Sequence, residues 1–259
     1  MSLVNIQVDP NNVLQRQFSE LERKQLPFAT MRAINETAFQ IRERWAAVMP
    51  RVFDKPTSLT LKSVLYTKAS LQKPQAQVFI RDEASNGTPP AKYLQAQVEG
   101  GTRRHKGIEK ALSNRGVLAS NMFVVPGKGA QLDAFGNISR GQIQAIKSQL
   151  GVQSDQYANE TDVSRNRRLK RETKKGARNS SYFAVKTKRG NLQPGIYQRT
   201  VSGFGAGLRS VLFFVRSVRY RKRYQIFDLA QKFYDRNFPR IFDKELAKAL
   251  ADSFNRAIK

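Results

Sequence analysis

Residues 27–49 constrain the fold more than any other stretch of this chain. Met31, Ile34, Ala38, Ile41, Trp45 and Val48 recur in alternating steps of three and four. That spacing puts all six on one stripe of a helix running from Pro27 to about Met49, with Arg32, Glu36, Arg42 and Glu43 turned away. A stripe this long, with a tryptophan in it, has to be covered. A helix lying across its own sheet satisfies the requirement, and a partner-binding seam is the alternative. The chain must therefore supply strands.

Several segments qualify. After a turn bracketed by Met49-Pro50 and Lys55-Pro56, Leu59, Leu61, Ser63 and Leu65 alternate with Thr60, Lys62, Val64 and Tyr66, the pattern of a strand. Gln75 to Arg81 is its expected hairpin partner. Asn121–Val125 reads as a short strand, and Tyr182–Thr187 and Gly195–Val201 flank a Lys188-Arg189-Gly190-Asn191 turn. Val211–Val215 is the most apolar strand. Helices are expected at Val13–Lys24, at Ser139–Leu150 with Ser139 as cap and Gly151 as stop, and at the C-terminal end, where Pro239 should kink or divide the helix. No fixed-period repeat emerges. The expected fold class is α+β: a small antiparallel β-sheet, sandwich-like, packed by a long amphipathic helix, with extra helices and a terminal helix. Residues 1–150 and 181–259 would complete one domain around a flexible basic arm at 151–180.

Thr88–Leu118 reads as a helix begun by Pro89-Pro90, a Gly100-Gly101 corner, a basic loop and a second short helix from about Lys106 to Asn114. Tyr93 and Leu94 anchor the unit, and Arg103, Arg104 and Lys106 are expected to meet a neighbouring subunit.

Charge is the unusual element of the composition. Among 259 residues, 46 Lys and Arg oppose 20 Asp and Glu, a net +26 that favours polyanions or acidic protein partners. The excess peaks in the arm, where Arg165, Arg167, Arg168, Lys170, Arg171, Lys174, Lys175 and Arg178 run past one acid, Glu172. Poor in aliphatic residues, this segment is expected to lie on a phosphate backbone or an acidic partner. Further on, Arg219, Arg221 and Arg223 alternate along a continued strand, either as a row of phosphate contacts or as the solvated face of a hairpin.

Enzymatic chemistry finds little footing. With no cysteine there is no disulfide or thiolate metal site. The single histidine, His105, stands among arginines without a sequence-local acid or nucleophile. Gly203-Phe204-Gly205-Ala206-Gly207 precedes a strand rather than the helix a phosphate loop needs. Gly195-Ile196-Tyr197 matches half of a nuclease signature, and Asp82, Glu83 and Glu99 are the acids such a reading would require for Mg²⁺. No catalytic, cofactor or metal residue is assigned, and the chain is expected not to be an enzyme. No apolar run approaches a membrane span, and the start lacks signal-peptide character.

One resemblance organises these features. Met31-Arg32-Ala33-Ile34-Asn35-Glu36-Thr37-Ala38, Pro50-Arg51-Val52-Phe53, Phe79-Ile80-Arg81-Asp82, Tyr93-Leu94 with Gly100-Gly101, and Val124-Val125-Pro126 resemble, in that order, the minor tail protein Z family of lambda-like phages and the related neck, or tail-completion, proteins. The resemblance covers most of Pro27–Leu150 and, more loosely, Tyr182–Lys259; the basic segment Arg165–Arg178 does not align. It implies a structural virion protein made in the host cytoplasm, a homo-oligomeric ring at the head–tail junction or in the tail. Other head–tail proteins would be its partners, double-stranded DNA could pass through its channel, and it would use no membrane and no cofactor. A free, sequence-independent nucleic-acid-binding protein is the alternative.

Overall fold

The computed structural model describes residues 3–7, 20–85, 87–174, 179–202 and 205–257. It is α+β with antiparallel sheets and long helices near both ends. Rather than one domain with an arm, the chain forms two compact units: residues 1–101 with 220–259, and residues 102–219 inserted between them.

In the first unit, β1 (Leu3–Gln7), β3 (Gln75–Ile80) and β2 (Val64–Thr67) form an antiparallel sheet in the order β1-β3-β2. Alternation along β3 buries Ala76, Val78 and Ile80. Helix α1 (Glu20–Val52) covers them with its expected stripe: Ile34, Ala38, Ile41 and Trp45 are fully buried, and Met31 and Val48 pack at the margin. The helix runs seven residues ahead of Pro27, and the part of the expected 13–24 helix before Glu20 lies outside the described residues. Asn35 explains why a polar residue sits beside this stripe. Its amide accepts from the Ala69 N–H (2.7 Å) and donates to the Ala69 carbonyl (3.1 Å), fastening the turn between β2 and β3.

The strand expected from Leu59 to Tyr66 begins only at Val64. Its first residues form a helical turn, α2 (Ser58–Leu61), because the Thr57 hydroxyl caps the Thr60 N–H at 3.2 Å. A short cap outweighs an alternating pattern that has no strand neighbour to satisfy. Helix α3 (Pro90–Val98) starts at the double proline as expected, with Pro89 at its cap, and buries Leu94. The Tyr93 hydroxyl bonds Thr60 Oγ1 at 3.0 Å. Gly100 and Gly101 both take positive φ, 79° and 92°, a corner that a β-carbon would strain.

The chain crosses into the second unit at β4 (Gly101–Thr102) and returns at β9 (Arg219–Tyr220), and these two short strands pair. Helix α7 (Ile226–Ala257) completes the first unit and runs through Pro239 without division. It lies antiparallel to α1: Trp45 meets Phe227 edge-on, the Arg44 guanidinium lies over the Phe233 ring, and Arg32 pairs with Glu245 at 2.7 Å. Tyr224, fully buried, donates its hydroxyl to the Trp45 carbonyl at 2.8 Å, and burial raises its pKa well above the usual phenol range.

The second unit holds α4 (Gly107–Asn114), β5 (Phe123–Pro126), α5 (Arg140–Gln149), a 3-10 turn at Gln156–Ala158, α6 (Asp162–Lys174), β6 (Asn179–Val185), β7 (Gly195–Ser202) and β8 (Gly205–Val215). Its sheet is antiparallel in the order β5-β8-β7-β6. Ile108 and Leu112 of α4 and Ile146 of α5 pack on Val124, Ile196, Leu212 and Phe214. In place of the one small sandwich-like sheet expected, the first unit has a three-stranded sheet and the second a four-stranded sheet, each with its own helices. Ser139 caps α5 through the Gln142 N–H. Gly195, the first residue of the nuclease-like tripeptide, is there for strand proximity: a β-carbon would stand 2.3 Å from the Leu212 carbonyl oxygen.

Trp45→Ala should cost about 3–5 kcal/mol by opening the first unit's core. Tyr224→Phe should cost about 0.5–1.5 kcal/mol by removing one hydrogen bond. Denaturant titration of both variants checks this, with the larger loss expected for tryptophan.

Candidate nucleic-acid interface

The basic residues singled out in the sequence divide into two kinds. Arg103 and Arg168 turn inward, each onto carboxylates, while Arg104, Lys106, Arg165, Arg167, Lys170, Arg171, Arg219, Arg221 and Arg223 lie at the surface.

Glu109 is the third residue of α4 and is fully buried. Its carboxylate takes both arms of the Arg103 guanidinium, at 2.5 and 2.8 Å, and the N–H groups of Lys106 (2.5 Å) and Val124 (2.7 Å). Arg103 also donates to the Val124 carbonyl at 3.1 Å and lies over the Phe123 ring, 5.2 Å from its centre. His105 stacks on that ring at 4.4 Å, its Nδ1 3.7 Å from Glu109. Burial pushes the Glu109 carboxyl up, but the Arg103 guanidinium and the two backbone N–H groups outweigh it and hold the pKa below the ordinary value.

The same arrangement recurs at the other side of the sheet. Glu172 on α6 accepts from the Ser180 N–H at 3.0 Å, and Arg168 donates to the Ser180 carbonyl. Arg168 also pairs with Glu160 at 2.7 Å and Glu172 at 3.4 Å, and the Glu160 bond is the main reason its pKa is raised. Gln149 of α5 accepts from the Tyr182 N–H at 2.9 Å.

Val124 lies in β5 and Ser180 in β6, the two edge strands of the four-stranded sheet. Both residues aim N–H and C=O away from the neighbouring strand. At each, a carboxylate takes the N–H and a guanidinium takes the carbonyl, as the next strand's backbone would. Unpaired edges are templates for association, and here an ion pair occupies each. The subunit contact expected of Arg103 and the polyanion contact expected of Arg168 are therefore replaced by internal roles. At the Val124 edge both partners are needed: the buried Glu109 carboxylate without its cation is strongly destabilising, although the intact pair adds little net stability.

Residues 162–174 of the expected flexible arm form helix α6 instead, because Arg168, Glu160, Glu172 and Ser180 tie it to β6. Arg165, Arg167, Lys170 and Arg171 are exposed along it. Lys174 ends the helix, and Lys175 and Arg178 lie outside the described residues. Arg104 and Lys106 are exposed in the second unit. The row Arg219, Arg221 and Arg223 does not form. Strand β8 stops at Val215, only Arg219 is in a strand, and Arg221 and Arg223 belong to the first unit. There the N–H groups of Arg223 and Tyr224 both turn onto the Gln97 carbonyl, at 2.9 and 3.0 Å, which is not strand geometry.

Glu109, Glu160 and Gln149 are absent from the residues the sequence singles out, and Glu172 is noted there only as the one acid among the arm's cations. The i, i+4 pair Arg168–Glu172 was the available signal. Among the described residues no group of three or more His, Asp or Glu is placed to hold a metal ion, Asp82 and Glu83 included. No described helix is long and apolar enough to cross a membrane. What the arrangement offers chemically is charge held at fixed positions. No protein-family model, curated protein or solved structure matches the chain.

Glu109→Gln should cost about 3–5 kcal/mol at neutral pH, since Arg103 loses its counter-charge. A carboxyl whose folded pKa is lowered stabilises above its unfolded pKa, and that stability is lost as pH falls through the folded value. The gap between wild type and variant should therefore be full above the ordinary value of 4.5 and narrow below it. Urea titrations at pH 7 and pH 3 measure both ends. An equal gap at the two would remove the carboxylate from this role.

Proposed function

We propose that the protein is a structural component of a tailed-phage virion, a neck, tail-completion or minor tail protein that assembles as a homo-oligomeric ring. It works by contact rather than catalysis, with other head–tail proteins as neighbours and basic surfaces toward DNA or acidic subunits.

One observation carries this reading. Segments that individually resemble the family, separated by tens of residues, supply the first unit's core, while Val124-Val125-Pro126 lies in the second unit. Ile34 and Ala38 from the first, Ile80 from the third and Leu94 from the fourth pack together. Asn35 of the first segment fastens the β2–β3 turn, and the Arg81 carbonyl of the third accepts the Ala91 N–H of α3 at 3.0 Å. Short motifs gain weight when their residues have joint physical work.

The distribution of charge favours a second reading, a free nucleic-acid-binding protein. Residues 102–219 hold 23 Lys and Arg against 6 Asp and Glu, a net +17 of the chain's +26. Assembly state separates the two. Sedimentation and negative-stain microscopy of the purified protein should show closed rings for a virion component. Phage lacking the gene should accumulate heads and tails that fail to join. A monomer at all concentrations, with normal infectious particles from the deletion, refutes the virion reading.

A further inference from the structure

We propose that the outward face of α6, carrying Arg167, Lys170 and Arg171, docks on the phosphate backbone of duplex nucleic acid without regard to sequence. This rests on the basic-contact part of the function above and commits it to nucleic acid rather than acidic protein.

Three observations converge on this face. First, α6 is a fixed element. Arg168 and Glu172 tie it to Ser180 of β6, and Glu160 ties Arg168 to the preceding loop. Its cations are therefore presented in a set geometry, and a ligand need not order the helix on binding. Second, the acids nearest these cations are used inward, and the helix's remaining acid, Asp162, lies back in its first turn. Glu160 and Glu172 both pair with Arg168, on the side facing the sheet. On a helical wheel Arg167, Lys170 and Arg171 fall within about 100° of arc, with Lys170 and Arg171 about 4.5 and 6 Å beyond Arg167 along the axis. All three are exposed. Third, cations at i, i+3 and i, i+4 repel one another, so the helix carries a local conflict that nothing in its own stability requires. Conflicts of this kind concentrate where a ligand relieves them.

The choice of nucleic acid follows from the form of the surrounding charge. Lys186, Lys188, Arg189, Arg199 and Arg209 are also exposed in this unit. A positive field spread over a whole unit suits a uniform line of phosphates. A specific acidic protein would instead call for a bounded patch. Guanidinium forks and an ammonium on one helix face engage phosphate oxygens and read no base edge.

The test uses the full-length protein and a fluorescently labelled linear duplex of mixed sequence, titrated from 50 to 300 mM salt. A variant with Arg167→Gln, Lys170→Gln and Arg171→Gln keeps good helix formers and leaves Arg168, Glu160 and Glu172 untouched. A second, with Lys186→Gln, Lys188→Gln and Arg189→Gln, removes the same charge from an exposed turn. Circular dichroism verifies that both are folded. The α6 variant should bind at least about tenfold more weakly at low salt, and its log–log salt slope should be shallower by about 2 to 3. The turn variant thins only the surrounding field and should lose clearly less affinity and slope than the α6 variant. Equal losses in both variants would reduce the effect to bulk charge and overturn the proposal, as would no loss in either. Tighter binding to polyglutamate than to the duplex at equal salt would assign the face to acidic protein instead. None of these readouts depends on ring formation, so failure here and failure of the virion reading are distinguishable.

Discussion

A guanidinium and a carboxylate, set side by side against one residue's backbone, end the second sheet at both edges. Arg103 with Glu109 does this at Val124, and Arg168 with Glu172 does it at Ser180. Each pair also fixes a helix, since Glu109 belongs to α4 and Glu172 to α6. Edge protection and helix docking are therefore one interaction. A hydrophobic contact of similar area could hold the helix but would leave the strand's N–H and C=O unpaired, each at a desolvation cost of about 1–3 kcal/mol. Ion pairs inside proteins contribute little net stability; what they add here is a single register and a closed edge.

The first unit is held differently. Ile34, Ala38, Ile41 and Trp45 on α1 meet Ala76, Val78 and Ile80 on β3, with Ala230 and Phe233 of α7 in the same core. Its polar work is local: Asn35 holds one turn and the Tyr224 hydroxyl holds one carbonyl. Burial at about 25 cal/mol per Å² needs area but little directional chemistry, and two long helices supply it. The second unit has shorter helices and a net charge near twice that of the first, and leans on charged groups at defined positions.

This contrast explains what was legible in the sequence. The stripe on α1, the alternation in β3 and the capped helix α5 are local patterns whose periods survive in the structure. Leu59–Leu61 misleads because alternation needs a strand neighbour, while the Thr57 cap is satisfied at once. Helix α6 is hidden because its only inward aliphatic is Leu169; the Arg168–Glu160 ion pair and the Ser180 N–H bond to Glu172, each spanning eight positions, decide its state rather than an apolar stripe. Arg103 and Arg168 read as surface cations because nothing local marks the carbonyl each must reach, 21 and 12 residues along the chain. The division into two units is hidden for a related reason. Apolar residues carry no label for the core they join, and an insertion with its own sheet looks like more of the same domain.

The use of acids inside the second unit also shapes its exterior. Of its six acids, Glu109, Glu160 and Glu172 are in pairs with Arg103 and Arg168. Every carboxylate drawn inward to end a strand is one fewer to neutralise an outward lysine or arginine. The fold's own need for edge caps thus leaves a strongly positive exterior, with only Asp133, Asp155 and Asp162 exposed among the unit's six acids. Salt acts unequally on the two populations. The buried pairs lie at contact distance and are weakly screened, whereas exposed charges farther apart than about 8–10 Å are largely screened at physiological ionic strength. Fold and external field are built from the same residue types but answer to different conditions. The unit can therefore lose its long-range attraction for polyanions, by salt or by charge substitution on α6, while the interactions that shape it stay intact.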